Sequence, residues 1–371
     1  MRKDKLKNKK KILVVCSFPS EDKKIFGGIT TSCRLFEQNL KFLKLNVIKL
    51  DSTQFSNPAP NMIVRSFFAT KRLFKYLILI SVKNPDSVLL FFSSGMSAYE
   101  KAFMGLIAKF FNTKVFLFPR GGKLIDYSKN KPLLLYMLKK ANYFFAQGEQ
   151  WRHYAQTTLK IHKENVYLVP NWTATEDYLN IGKYREVKPI NKDNVRILYI
   201  GWIEKDKGVF ELVKACEILH SHYKNLTLNL LGDGKVRLKV EKYLKERKIN
   251  YINFHGWANE DQKMKFLSMS DIFVLPSFAE GFPNSLIEAM SSKLACISTP
   301  VGNINTFFED GKDIIFTPVG NISGLVDSIE TVIKDESLNF QIVNNAYKKT
   351  LENFSTLKGL KFFYKILEEN T

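Results

Sequence analysis

Phe278-Ala279-Glu280-Gly281-Phe282-Pro283-Asn284-Ser285-Leu286-Ile287-Glu288-Ala289-Met290 joins an apolar run at 271–276 to an amphipathic run ending near Lys293. A short β-type run, a turn containing Gly and Pro, and an α-type run read as a strand-to-helix turn. At the carboxyl end of a parallel strand, such a turn aims backbone N–H groups and a helix N-terminus at whatever binds there. Glu280 falls in the turn, and Glu288 lies about one turn inside the helix. A carboxylate beside anion-binding amides predicts a ligand carrying both phosphates and hydroxyls, such as a sugar nucleotide.

Outward from this turn, β-type and α-type runs alternate along the chain, as in parallel α/β architecture. The patterning predicts strands at 11–16, 46–50, 87–92, 114–118, 143–146 and 166–169. A second series follows at 195–200, 227–231, 252–254, 272–275, 294–298 and 314–316. Amphipathic spacing predicts helices near 29–43, 62–82, 97–111, 131–140 and 149–160. Further helices are predicted near 208–222, 235–248, 260–269, 284–293 and 321–334, with a helical tail over 338–371. The polar stretch 173–194, with Gly182 and Pro189, lacks apolar periodicity and reads as a linker. The expected division is 1–175, a linker at 176–194, a second domain at 195–350, and a C-terminal helix at 351–371 that packs on the first domain.

At 371 residues, with 45% hydrophobic and 25% charged residues, the chain has the make-up of two folded domains. Cys16, Cys33, Cys216 and Cys296 are scattered without paired spacing, and three of them sit in apolar or amphipathic runs and read as small core residues of a reducing compartment, which argues against disulfides and a zinc site. The apolar runs at 12–16 and 76–80 are too short for a secretory h-region or a membrane span. Charge is uneven: residues 1–190 hold 33 Lys and Arg against 13 Asp and Glu, whereas 191–371 hold 23 of each. The surplus predicts an anionic partner for the first half. Within it, 62–82 interleaves Phe67, Phe68, Phe74, Leu77 and Ile80 with Arg65, Lys71, Arg72 and Lys75. Two readings of that run stay open: an interfacial helix on anionic lipid, joined by the basic leader (Lys5, Lys7, Lys9, Lys10, Lys11), or a crossover helix whose apolar face is core.

Glu280 and Glu288, within Glu-Gly-Phe-Pro-Asn-Ser-Leu-Ile-Glu-Ala-Met, resemble the EX7E motif of family 4 glycosyltransferases. The order of companions is also similar: Gly27-Gly28-Ile29, Gly201-Trp202-Ile203-Glu204-Lys205-Asp206-Lys207-Gly208, Leu231-Gly232-Asp233-Gly234, Phe254-His255-Gly256-Trp257 and Pro300-Val301-Gly302-Asn303. The motif resemblance covers 195–320, and the first half matches only in topology.

The resemblance implies a GT-B fold of two Rossmann-like, doubly wound domains. It implies a retaining, metal-independent, hexosyl- or related transferase that needs no cofactor beyond its nucleotide-diphosphate sugar, UDP- or GDP-linked. It places Lys207 on the diphosphate, Glu288 on the ribose hydroxyls, and Glu280 on the transferred sugar. Gly27, Gly28, Gly201, Gly232, His255, Gly256, Trp257, Gly281, Phe282, Pro283, Asn284 and Ser285 would line the donor site, with His255 acting through its backbone. The implied acceptor is a glycan or polyprenyl-diphosphate-linked intermediate of polysaccharide biosynthesis, met in the cytoplasm or at the inner membrane face, and no nucleic acid.

Departures from the family pattern are Trp202, where an arginine is common, Asn305-Thr306, where Pro-Glu is common, and Phe118-Pro119-Arg120-Gly121-Gly122-Lys123, where a histidine is common. Arg120 is therefore a candidate for the missing positive charge or for holding an anionic acceptor. A non-hydrolysing sugar-nucleotide epimerase and, from the charge alone, a basic nucleic-acid-binding protein stand as alternatives.

Overall fold

The computed structural model describes residues 9–18, 27–54 and 60–371; Lys5 and Lys7 of the basic leader lie outside them. In chain order the first elements are β1 (Lys11–Cys16), α1 (Gly28–Gln38), β2 (Asn46–Asp51), α2 (Met62–Lys83), β3 (Ser87–Phe92), α3 (Met96–Phe110) and β4 (Lys114–Pro119). They are followed by α4 (Leu124–Ser128), α5 (Pro132–Leu138), β5 (Tyr143–Ala146), α6 (Glu149–Thr157) and β6 (Val166–Leu168). The chain continues with α7 (Glu176–Tyr184), β7 (Arg196–Ile200), α8 (Val209–Leu219), β8 (Thr227–Leu231), α9 (Arg237–Glu246), β9 (Ile252–Gly256), α10 (Glu260–Met269) and β10 (Ile272–Leu275). The last elements are α11 (Asn284–Ser291), β11 (Ala295–Ser298), α12 (Ile304–Phe307), β12 (Ile315–Phe316), α13 (Ile322–Lys334), α14 (Glu336–Asn353) and α15 (Thr356–Asn370).

Two compact units result, Met1–Trp172 with Leu357–Thr371, and Thr173–Thr356. The first holds a six-stranded parallel sheet in the order β2-β1-β3-β4-β5-β6. Its central strands are covered on both faces, which is why they read as unbroken apolar runs: every residue of β3 is buried. One face packs under α2 and α3 through Tyr76, Ile80, Ala98 and Met104. The other packs under α1 and α15, where Phe36 meets Phe363 and Tyr364. The C-terminal helix thus returns to the first unit, as expected, and Ser87 Oγ lies 2.8 Å from Thr371 Oγ1.

The second unit holds a parallel sheet in the order β12-β11-β10-β7-β8-β9. Winding reverses between β7 and β10, so the crevice at their carboxyl ends is the topological switch point where ligands bind in such sheets. In the first unit the reversal falls between β1 and β3.

The stretch read as a linker contains α7. Thr175 caps it by accepting from Tyr178 N, and Tyr178 and Leu179 are buried in the second unit. Its buried side is made of Tyr178, Leu179 and Gly182, which leaves no aliphatic period to read. The core reading of α2 is only partly met. Of its 22 residues only Tyr76 and Ile80 are fully buried, while Phe67 and Phe74 are exposed.

Candidate active site

The loops after β7 and β10 meet at the switch point of the second unit. After β7 the chain makes a 3-10 turn, Lys205–Lys207, and enters α8 through Gly208. Gly208 has φ 67°, and a Cβ there would collide with the Pro276 carbonyl oxygen, so only glycine lets the two loops approach this closely. Phe278 N donates to Asp206 O at 2.9 Å and fastens the loops together.

Lys207 and Glu280 are brought side by side. Lys207 Nζ donates to Glu280 Oε1 at 2.8 Å and to Ala279 O at 3.2 Å, and Ser277 Oγ donates to the same carboxylate oxygen at 2.7 Å. Their side chains are 19% and 12% exposed, so the pair is largely shielded and fixed rather than splayed into water. Ser277 adds a second donor to Oε1 and leaves Oε2 to accept from elsewhere; a serine in an apolar run next to Pro276 is the only signal in the sequence that could have pointed to it.

The turn 280–284 is held from β11. Gly302, at φ 64°, packs so tightly that a Cβ would strike the carbonyl oxygens of Glu280 and Gly281. Asn303 N donates to Gly281 O at 3.0 Å. Asn303 Oδ1 is buried with no partner among the described residues, an acceptor directly behind the turn. Phe282 is a core residue, its ring 5.0 Å from Phe307 and 5.3 Å from Phe354, so it offers a ligand its backbone rather than its ring. Pro283 precedes α11, and the first amides of α11, from Asn284 and Ser285, form its positive end.

Glu288 lies on α11 but does not join the Lys207–Glu280 pair. It is 3% exposed, and its Oε2 accepts from Lys263 Nζ at 3.2 Å. Lys263 also reaches Glu260 at 3.0 Å, and Glu260 accepts from Tyr178 Oη. Burial pushes the Glu288 carboxyl above its ordinary range, outweighing Lys263 and adding to repulsion from Glu260. Lys263 is raised, since the two carboxylates outweigh its own burial. Sequence reasoning passed over Lys263 and Glu260 because α10 reads as an ordinary amphipathic surface helix, and over Tyr178 because α7 lies in the stretch read as a linker.

The remaining strand ends are knitted through main chain. Gly201 N donates to Leu231 O at 3.0 Å, Gly232 N to Gly256 O at 2.7 Å, and Ile203 N to Asp233 O at 2.9 Å. The His255 imidazole turns to Asn229 Oδ1, 2.8 Å away, and to the Phe266 ring, which leaves its backbone at the strand end. Trp202 packs edge-to-face on Trp257, ring centroids 4.5 Å apart. The position where an arginine is common therefore belongs to an aromatic pair.

Arg120 stands at the end of β4 in the first unit. Nη2 donates to Ser32 Oγ of α1 at 2.5 Å, and Gln147, with its amide turned so that Oε1 faces the guanidinium, accepts from Nη1 at 3.1 Å. The guanidinium lies over the rings of Phe118 and Trp172, 5.0 and 5.2 Å from their centroids. Burial pulls its pKa down to about 10, which leaves it charged at neutral pH. Among the described residues no carboxylate forms an ion pair with it. Gly27, the N-cap of α1, and Gly28, its first residue, lie five and four residues before Ser32.

Residues 180–349 match the family model described as glycosyl transferases group 1. The capsular polysaccharide biosynthesis glycosyltransferase CapM of Staphylococcus aureus is 26% identical over 370 residues, spanning 91% of this chain and 94% of that protein. Among solved structures, sucrose-phosphate synthase from Thermosynechococcus elongatus superposes with a TM-score of 0.73 at 14% identity, covering 97% of this chain and 98% of that one. Anabaena HepE in complex with UDP superposes at 0.67 and 14% identity, covering 97% of this chain and all of that one to 100%. Over residues 180–349 the chain matches the group 1 glycosyl transferases, and its two doubly wound units have the GT-B fold.

Proposed function

We propose that this chain is a retaining, metal-independent glycosyltransferase that moves a sugar from a nucleotide-diphosphate donor to a hydroxyl of a glycan intermediate in polysaccharide biosynthesis. The observation that carries the reading is the Lys207–Glu280 pair at the β7/β10 switch point, beside the positive end of α11. A fixed cation and oriented amides suit a leaving diphosphate, whose charge grows as its bond to the sugar breaks. The family match over 180–349 and the CapM likeness favour a transferase over the epimerase and nucleic-acid readings.

In this reading the diphosphate lies against Lys207 and the amides of 281–285. Glu280, held by Lys207 and Ser277, accepts hydrogen bonds from hydroxyls of the transferred sugar. Glu288 accepts from the ribose through Oε1, its Oε2 being engaged by Lys263. The acceptor oxygen forms its bond to the anomeric carbon on the face from which the phosphate oxygen departs. That departing oxygen takes the acceptor's proton, so neither a metal nor a second carboxylate enters the balance. HepE is in complex with UDP, which supports a uridine donor here.

Arg120 binds an anionic group of a substrate. Leaving a desolvated guanidinium without a counter-charge costs several kcal/mol, and two cation–π contacts return only about 0.5–2 kcal/mol each. A phosphate or carboxylate would make up the difference. Titration with UDP-, GDP- and ADP-sugars tests the donor reading. One of the three binds, and Lys207→Ala weakens it tenfold or more; absence of binding by all three would overturn it.

A further inference from the structure

The outer side of α2 carries a stripe of exposed apolar side chains. Ile63, Phe67, Phe74 and Ile78 are 81, 65, 63 and 61% exposed. At about 100° per residue these four fall within a sector of roughly 60°, on the far side of the helix from Tyr76 and Ile80. Lys71 and Lys75 border the stripe on one side and are exposed, whereas Arg72, further round, is spent on Glu100 at 2.6 Å. The neighbouring α3 packs against the opposite side of α2, through Arg72 on Glu100 and Tyr76 Oη on Met104 O at 2.8 Å, and leaves the stripe uncovered.

Large apolar groups held this far out in water, in a folded unit with a complete core beneath them, mark a contact surface. The occupant follows from charge. The basic border matches the surplus of positive residues confined to 1–190. Among the described residues no helix is long and apolar enough to cross a bilayer, so the contact is interfacial. We infer that the outer side of α2 seats on an anionic lipid bilayer, Ile63, Phe67, Phe74 and Ile78 entering the headgroup boundary while Lys71 and Lys75 meet lipid phosphates. This stands apart from the transferase reading, since it uses none of the residues of the donor site.

Flotation of the full chain with vesicles of phosphatidylcholine alone, or with one-third phosphatidylglycerol, tests it. Binding to the anionic vesicles exceeds binding to the neutral ones at least tenfold. Phe67→Asp with Phe74→Asp abolishes it, and Lys71→Gln with Lys75→Gln weakens it about twenty-fivefold, at about fivefold per lysine. Nucleotide-sugar affinity stays unchanged in both variants. Equal failure to bind both vesicle types, or variants that bind as well as wild type, would overturn the inference. So would a wild-type dimer in sedimentation that Phe67→Asp with Phe74→Asp dissociates, because a second copy would then own the face.

Discussion

Lys207 Nζ stands 2.8 Å from Glu280 Oε1, so the cation and the carboxylate at the switch point of the second sheet are paired with each other before any ligand arrives. The pairing holds the Glu280 carboxylate in one position, with Ser277 on the same oxygen, and fixes the Lys207 ammonium at the switch point.

Removing either partner should therefore harm the other. Lys207→Met and Glu280→Gln are each expected to lower kcat/KM by about 10²–10³-fold. In a double-mutant cycle the combined loss should fall well short of the product of the two. Full multiplicativity would show that the residues act separately.

Gly302 acts at a distance from any ligand. Gly302→Ala adds a methyl against the Glu280 and Gly281 carbonyls at a positive φ. The left-handed backbone alone costs about 1–2 kcal/mol, and the clash adds to it. The displaced turn should lower turnover about 10²-fold, since a misplacement of about 1 Å is enough for that. A variant with wild-type turnover would mean that the turn position does not matter.

The Glu288–Lys263 pair predicts a pH dependence of stability. Because the Glu288 carboxyl is raised above its ordinary 4.5, the folded chain holds its proton where the unfolded chain has lost it. The stability this group contributes is complete below 4.5 and declines as pH rises through the folded-state value. Urea midpoints from pH 4 upward should show that decline in wild type, and Glu288→Gln should flatten it. Lys263→Met leaves the carboxyl buried without its cation and should cost about 3 kcal/mol, lowering Tm by roughly 6–12 °C.

Arg120→Ala should fold and bind donor nucleotide while losing turnover or affinity for the anionic partner about 10–100-fold. Arg120→Lys should recover only part of it, because an ammonium cannot donate to Ser32, Gln147 and an anion in one plane. Steady-state kinetics at varied acceptor and donor decide the matter, and unchanged constants in Arg120→Ala would remove Arg120 from the site.

Much of this fold was legible because parallel strands buried on both faces leave unbroken apolar runs. The strands expected at 11–16, 87–92, 143–146, 227–231 and 272–275 match β1, β3, β5, β8 and β10 residue for residue. What escaped was short or polar: α7, whose buried side is Tyr178, Leu179 and Gly182, and α12, only four residues long. At the site, the turn 280–284 and Lys207 could be named, but their direct pairing could not. It depends on the strand order that sets β7 beside β10, which no local pattern encodes. Lys263 was hidden likewise, since a lysine in a charged helix looks solvated until α11 is packed against it.

The central claim is transfer with retention at the Lys207–Glu280 site, and it is tested most directly by incubating the donor that binds with a lipid-linked glycan acceptor. Nucleoside diphosphate release and the anomeric configuration of the product are then followed by NMR. Release that requires acceptor, a product with the donor's anomeric configuration, and loss of both in Glu280→Gln are the expected results. Inverted product, epimerised donor, or release independent of acceptor and of Glu280 would contradict it.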